Sequence, residues 1–210
     1  MDENQRRRKI LALLQETYQG AKTALRYKNT FELLIATMLA AQSTDKQVNV
    51  ITASLFRKYP DPASFARLTP EELEQEIKGV GLYKNKSRHI IAACRQILEK
   101  HHAQVPSTRE ELEALPGVGR KTANVVLSIG FGQPALAVDT HVFRVANRLK
   151  LAEAKDPLET ERQLCAWIPQ ELWSEAHHWL IYHGRRVCRA RQPLCHQCSL
   201  SAYCPSCRAD

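Results

Sequence analysis

Lys121 is the side chain with the clearest potential for covalent chemistry. It follows a turn that contains two glycines, in the segment Leu115–Ala123 (LPGVGRKTA). The apolar spacing beyond the turn predicts a helix that begins at about Gly119, which places Lys121 in its first turn. The positive end of the helix dipole and the neighbouring Arg120 both disfavour a charged ammonium there. Because only a neutral amine attacks carbon, Lys121 is a candidate nucleophile, and the alternative is a solvated lysine that neutralises phosphate.

The turn in front of Lys121 is suited to bind an anion. Gly117 and Gly119 lack a Cβ and can take the tight, positive-φ geometry that gathers backbone N–H groups around a phosphate. No strand precedes the glycines and the spacing differs from that of a P-loop, so the pattern favours a helix–hairpin–helix over a nucleotide-binding fold. A nucleic-acid backbone is the usual ligand of such a hairpin. The predicted contacts are Gly117, Val118, Gly119 and Arg120.

Asp139 is a second candidate for catalysis. It lies just before a predicted helix, in the segment 137–142 (AVDTHV), where its simplest role is that of an N-cap. A carboxylate at that position could also stabilise positive charge that develops on a sugar and help to move protons. Spacing alone does not pair it with Lys121.

Five of the seven cysteines fall in the last 23 residues. Such clustering in a reduced, intracellular protein favours a metal site over a disulfide framework. Two sets of four thiolates fit the spacing, and either Zn²⁺ or an iron–sulfur cluster suits them. The longer set is Cys188, Cys195, Cys198 and Cys204, and the shorter set is Cys195, Cys198, Cys204 and Cys207.

Charge favours a polyanionic partner. Thirty Lys and Arg against 22 Asp and Glu give a formal net charge of +8, which suits nucleic acid. The loop between the first two cysteines of the longer set would be held by metal at both ends and would present Arg189 and Arg191 to phosphates. The longest apolar stretch, Leu33–Ala41, is too short to span a bilayer, and the apolar segment near the N-terminus is too short for a signal peptide. We therefore expect a cytoplasmic protein.

Helices must position these residues. Apolar residues recur at helical spacing along nearly the whole chain, and no convincing alternation of polar and apolar residues predicts a sheet. Phe31–Ala40 is apolar on most faces and is expected to be a buried helix, and Thr69 followed by Pro70 predicts a capped helix start. The segment Gly79–Gly81 also opens a helix, either as a glycine cap or as a second DNA-contacting hairpin. Further helices are predicted near Leu11–Tyr18 and at Asp45–Tyr59, Lys84–Lys100, Ser107–Leu115, Val142–Leu149, Leu158–Ile168 and Leu172–His183.

Together these segments resemble the endonuclease III family, which are DNA glycosylases of the helix–hairpin–helix superfamily. The resemblance spans nearly the whole chain in one order. It is carried by the glycine–lysine hairpin, by the six–two–five gaps between cysteines, and by three shorter segments. These are 39–45 (LAAQSTD), 81–83 (GLY) and 138–144 (VDTHVFR).

The resemblance implies an all-α fold of two lobes with a DNA-binding cleft between them. One lobe would be a six-helix barrel of residues 23–133, and the other would join residues 1–22 to 134–210 and carry a [4Fe–4S] cluster. By motif match Lys121 would be the nucleophile and Asp139 its catalytic partner. Gln42 and Leu82 would wedge into the duplex and fill the space that a flipped base leaves. The cluster ligands would be Cys188, Cys195, Cys198 and Cys204, with Cys207 outside.

The implied activity is that of a monomeric, bifunctional enzyme of base excision repair. It would remove oxidised pyrimidines from double-stranded DNA through a lysine Schiff base and cut the strand 3′ to the abasic site by β-elimination. The alternatives are a non-catalytic DNA-binding module with a structural zinc, or a related glycosylase for pyrimidine dimers or mismatched adenine. The adenine glycosylases share the aspartate and the cluster but lack a lysine at the position of Lys121, which favours the lyase.

Overall fold

The computed structural model describes residues 1–207, and within that range the chain is helical with no strand, which confirms the predicted all-α class. The last three residues, which the predicted C-terminal domain includes, lie outside the described part. The α-helices are α1 (Glu3–Thr17), α2 (Thr30–Ala40), α3 (Asp45–Lys58), α4 (Pro62–Ala66), α5 (Pro70–Ile77), α6 (Tyr83–His101), α7 (Arg109–Glu113), α8 (Arg120–Val125), α9 (Thr140–Arg148), α10 (Pro157–Cys165) and α11 (Trp173–Arg186).

The chain divides into two compact units. We call Ala24–Gln133 the central unit, and Met1–Thr23 together with the chain from Pro134 onward the terminal unit. The barrel and cluster roles assigned to the two predicted domains stay predictions. No helix within residues 1–207 combines the length and the apolar character that a membrane span requires.

The central unit is built around α2. Every residue from Phe31 to Leu39 is buried, as its apolar sequence predicts, and the Asn29 side chain caps the helix start by accepting from the Glu32 N–H. The one buried hydroxyl of the helix, that of Thr37, donates to the Leu33 carbonyl and so stays satisfied. Each large apolar side chain buried in this way contributes about 1.5–3 kcal/mol. The surrounding helices contribute the fully buried Leu55, Phe65, Leu73, Ile77, Ile90 and Ile97.

One short helix of the central unit, α4, is absent from the sequence-based predictions. It has five residues, so no helical period could be recognised in it. The available signal was local, because Asp61 caps the first turn and Pro62 occupies its first position. Its Phe65 is fully buried and packs edge-on against Phe31 at 5.7 Å between ring centroids.

The terminal unit joins the two ends of the chain in one core. This core contains Ile10 and Leu14 of α1, buried residues of α9 and α11, and Leu200 near the C-terminus. Arg6 of α1 reinforces the join, because its guanidinium donates to three backbone carbonyls that are distant in sequence. These are the carbonyls of Leu149 and Tyr203, each at 2.8 Å, and that of Lys150 at 3.1 Å.

Candidate functional site

The hairpin before Lys121 is anchored by two buried apolar residues, Leu115 and Val118, whose backbones are joined by a Val118 N–H to Leu115 carbonyl bond of 3.1 Å. Between them Gly117 has φ +76°, a conformation that favours glycine. A Cβ on Gly117 would also lie only 2.7 Å from the Cβ of His89 on α6. Backbone geometry and close packing therefore both require glycine at this point.

Gly119 differs from the prediction that both glycines take positive φ. It is extended, with φ −93° and ψ 174°, and a Cβ there would meet no atom within 4 Å. Gly119 instead acts as the N-cap of α8 without a side-chain cap bond. Because the first-turn N–H groups of a helix have no intrahelical acceptor, this end of α8 offers donors to an anion.

Lys121 is the second residue of α8 and is exposed to solvent. The helix that carries it is short, because α8 runs directly into a π-helical turn at Val126–Gly130, and buried Ala123 and Val126 hold this segment in the core. The adjacent Arg120 lies 3.7 Å from Glu113, in an ion pair whose partners are each more than one third exposed. A pair of this kind contributes little to stability, so Arg120 can exchange Glu113 for a phosphate at low cost.

Asp139 is the N-cap of α9. Its Oδ1 accepts from the N–H groups of His141 and Val142, both at 2.8 Å, so the capping role considered from the sequence is confirmed. The four residues before it, Ala135–Val138, are buried and fix the carboxylate at the start of the helix. Both bonds use Oδ1, which leaves Oδ2 for other chemistry. Asp139 belongs to the terminal unit and Lys121 to the central unit.

Gln42 and Leu82, the two predicted wedge residues, share an unusual backbone. Their φ angles are 55° and 57°, in the left-handed region that non-glycine residues rarely occupy. Each such residue costs about 1–3 kcal/mol and persists only where its surroundings hold it. Both side chains are exposed, and Leu82 stands out because 54% of it is accessible. No local signal in the sequence predicts these conformations.

Five cysteines line one cavity of about 520 Å³ in the terminal unit. Among the described residues, no three His, Cys, Asp or Glu side chains are grouped as ligands of a single metal ion. The thiols instead surround a space many times the roughly 30 Å³ that one water molecule occupies. Two short 3₁₀ turns bring them there, at 195–197 and 201–203, each followed directly by a cysteine. The lining cysteines are Cys188, Cys195, Cys198, Cys204 and Cys207.

Two side chains of the terminal unit approach the sulfur atoms. Arg148 Nη1 lies 3.6 Å from Cys188 Sγ, and His183 Nε2 lies 3.7 Å from Cys198 Sγ. Burial lowers the pKa of His183 to about 4, so the ring is neutral at pH 7. The Tyr18 hydroxyl lies 2.9 Å from Nδ1 of the same ring, so His183 bridges that hydroxyl and the Cys198 sulfur. Burial also raises the pKa of the Cys198 thiol.

Arginines of α9 hold the loop between Cys188 and Cys195, which carries Arg189 and Arg191 and is called the Arg189 loop below. Arg148 donates to the carbonyls of Arg189 at 2.6 Å and Ala190 at 3.0 Å, and Arg144 donates to the Cys188 carbonyl at 3.1 Å. The side chains of Arg189 and Arg191 are exposed. The sequence indicated a basic surface, but it could not separate the arginines that bind backbone carbonyls from those that face solvent.

Comparisons with known proteins agree with this arrangement. Residues 35–170 match the model of the HhH-GPD superfamily of base excision DNA repair proteins. Endonuclease III of Synechocystis sp. is 47% identical over 98% of this chain and 94% of its own, and that of Escherichia coli K12 is 47% identical over 95% and 94%. A solved structure described as a trapped endonuclease III–DNA covalent intermediate superposes with a TM-score of 0.94, at 45% identity, over 98% of this chain and 97% of its own. The predicted helix–hairpin–helix glycosylase fold is thereby confirmed.

Proposed function

This chain belongs to the endonuclease III family of the HhH-GPD superfamily, and from that premise we propose that Lys121 bonds covalently to damaged DNA and Asp139 assists it. The protein is a DNA glycosylase and abasic-site lyase of base excision repair. The observation that carries the proposed chemistry is the exposed amine on the first turn of a helix whose N-terminus has no side-chain cap. A phosphate bound at that turn would bring the sugar of the same strand to the amine.

The first step replaces the damaged base by the enzyme. Neutral Lys121 Nζ forms a bond to C1′ of the flipped nucleotide as the bond between C1′ and the base nitrogen breaks. The electron pair of that bond leaves with the base, which takes up one of the two protons that Nζ carries after the attack. Asp139 stabilises the positive charge that develops on the sugar in the transition state, and Oδ2 is the oxygen not occupied in capping α9.

The second step cuts the strand. Once the sugar ring opens, C1′ and Nζ form a protonated Schiff base, which acidifies the proton on C2′. Loss of that proton and departure of the 3′ phosphate from C3′ complete a β-elimination, and water then releases the lysine. Asp139 and the departing base are the groups available to carry protons.

DNA binding combines a grip on phosphates with extrusion of one nucleotide. The hairpin residues Gly117–Arg120 and the exposed Arg189 and Arg191 supply contacts that do not depend on sequence. Gln42 and Leu82 enter the duplex where the nucleotide leaves, which offsets part of the unstacking cost of roughly a few kcal/mol. Damaged pyrimidines stack and pair poorly, so they are extruded at lower cost. The enzyme acts where chromosomal DNA lies, in the cytoplasm.

The four cysteines of the longer set fit a [4Fe–4S] cluster. The donors are thiols, the ligand type that such clusters require, and they line one cavity with room for a polynuclear group. Cys188, Cys195, Cys198 and Cys204 would hold the cluster. When bound it would cross-link the C-terminal segment and hold the Arg189 loop at both of its ends. Residues 1–22 with 134–210 would then be the cluster domain, and 23–133 the six-helix barrel.

Borohydride reduction tests the proposed function directly. A duplex with one abasic site or oxidised pyrimidine is incubated with the protein, and borohydride reduces any Schiff base to a stable amine. We expect a covalent protein–DNA adduct and a strand cut 3′ to the lesion. A protein that binds the duplex but forms no adduct would instead be a non-catalytic DNA-binding module.

A pair of cysteine variants distinguishes the longer from the shorter set of possible cluster ligands. Cys207→Ser should retain iron and acid-labile sulfide, whereas Cys188→Ser should lose them, because only the second residue belongs to the longer ligand set. Iron, sulfide and zinc analysis of both purified variants and of the parent protein measures this. Stoichiometric zinc without iron in the parent would contradict the cluster, and iron loss in Cys207→Ser alone would favour the shorter set.

The Arg189 loop is tested by salt dependence. Arg189→Ala should weaken binding to damaged and undamaged duplexes equally and should reduce the slope of log K against log salt by about 0.9, since one phosphate contact is lost. Arg162→Ala serves as the control, because that side chain of the same unit is 70% exposed and the charge change is identical. A defect confined to one lesion would contradict the role of Arg189 as a phosphate contact.

A further inference from the structure

Lys86 is a lysine of α6 that is only 7% exposed, and its contacts surround the turn that carries Gln42. An ammonium has three N–H donors, and here two of them bind backbone carbonyls just before Gln42. The third lies within reach of the Ser43 hydroxyl, one residue after Gln42. The ammonium also lies at the negative end of the α2 dipole. The acceptors are the Leu39 carbonyl at 2.8 Å, the Ala41 carbonyl at 2.5 Å and Ser43 Oγ at 3.5 Å.

The same hydroxyl connects this turn to the one that precedes Leu82. Ser43 Oγ accepts a 3.0 Å hydrogen bond from the Gly81 N–H. A Cβ on Gly81 would lie 2.8 Å from the Gln42 carbonyl oxygen, so only glycine permits the two turns to approach this closely. The backbone of Gly81 is not in the positive-φ region, and close packing alone explains the residue.

We propose that Lys86 is a positioning residue for base extrusion: with Ser43 and Gly81 it locks the turns of Gln42 and Leu82 into one rigid, two-pronged wedge. The inference rests on the proposed function, since it assumes that the side chains of Gln42 and Leu82, the two prongs of the wedge, enter the duplex. A wedge offsets the cost of unstacking best when it needs no ordering on contact with DNA. Both prongs have left-handed backbones, which persist only when their surroundings hold them.

Burial separates this role from an ordinary contact with DNA. The Lys86 ammonium is enclosed by protein acceptors, so it is not available to a phosphate. The exposed Lys100 of the same helix offers a matched control with an identical change in charge. An effect seen for Lys86→Met and not for Lys100→Met therefore reports on the wedge and not on net charge.

The test measures extrusion and chemistry separately. A duplex carries an oxidised pyrimidine opposite 2-aminopurine, whose fluorescence rises when it loses stacking. In Lys86→Met we expect a smaller fluorescence rise and single-turnover excision slower by about 10- to 100-fold. Cutting at a preformed abasic site, where no base must be unstacked, should fall far less, and Lys100→Met should match the parent protein in every assay.

A second pair of variants keeps the inference open to refutation if Lys86→Met does not fold. Ser43 is only half-buried, so Ser43→Ala should fold while breaking the link to Gly81. It should reduce excision in the same selective way, and Ser43→Thr, which keeps the hydroxyl, should restore it. Melting curves and circular dichroism of each variant confirm that folded proteins are being compared.

The outcomes distinguish this inference from the function on which it rests. If the parent protein gives neither a borohydride adduct nor a rise in 2-aminopurine fluorescence, the proposed function fails. If the parent gives both, and folded Lys86→Met and Ser43→Ala excise like the parent, the inference alone is overturned. If a variant loses excision of the oxidised pyrimidine and cutting at the preformed abasic site to the same extent, the inference is also overturned, because equal losses indicate a general structural role.

Discussion

Lys121→Gln is expected to abolish the borohydride adduct and to slow strand cleavage by roughly 10³-fold or more, because it removes the atom that bonds to C1′. Stability should change by less than about 0.5 kcal/mol, since the side chain is exposed on a helix that is held by other residues. Glutamine keeps a hydrogen-bond donor, so binding to an abasic duplex should survive. Gel-shift binding, borohydride trapping and melting curves measure the three quantities.

Lys100→Gln is the control for Lys121→Gln, because it makes the same chemical change at an exposed position of α6. It should retain binding, trapping and cleavage. If Lys121→Gln still forms a reducible adduct, another amine is the nucleophile. If it loses binding together with cleavage while its melting temperature is unchanged, Lys121 acts through charge and not through covalent chemistry.

Asp139 has a structural role and a proposed catalytic role, and two substitutions separate them. Asparagine caps helices as well as aspartate does, so Asp139→Asn should keep the bonds to His141 and Val142 and leave the melting temperature unchanged. It removes the negative charge, so base excision should fall by about 10²- to 10⁴-fold. Single-turnover excision beside a melting curve measures both effects.

Asp139→Ala removes the cap as well as the charge. It should lose as much activity as Asp139→Asn and, in addition, about 1 kcal/mol of folding stability. Full activity in Asp139→Asn would show that the residue only caps α9. A stability loss in Asp139→Asn equal to that of Asp139→Ala would mean that the charge on the cap, and not its hydrogen bonds, stabilises the helix.

The predicted helices and the structure agree where the signal is local. Asn29, Thr44, Thr69, Thr108 and Asp156 all cap helices through their own side chains. Caps and apolar periodicity act over a few residues, so both can be recognised without knowledge of the fold. The five-residue α4 is too short to show apolar periodicity, and its one local signal, the Asp61 cap before Pro62, was overlooked, whereas the equally short α7 was predicted.

Basic residues show where sequence reasoning stops. A net charge of +8 correctly favoured a nucleic-acid partner, yet several cations serve the protein itself. Arg6 binds carbonyls more than 140 positions away, Arg148 holds the loop of Arg189, and Lys86 is enclosed near the end of α2. The carbonyls that accept from these cations are backbone atoms, which every residue type has, so no pattern of residue types could reveal them.

By itself, the sequence determined the helical class, the hairpin with its lysine, the cysteine cluster and the family. Each of these follows from the spacing of residue types over short stretches of the chain. Only the tertiary structure decided that a Cβ at position 117 would collide with His89, whereas a Cβ at position 119 would meet no atom. It also decided that Gln42 and Leu82 adopt left-handed backbones. Those outcomes depend on atoms that meet across tens of residues. Steric contact between such distant segments has no counterpart in local residue order, so it becomes visible only when the chain is folded.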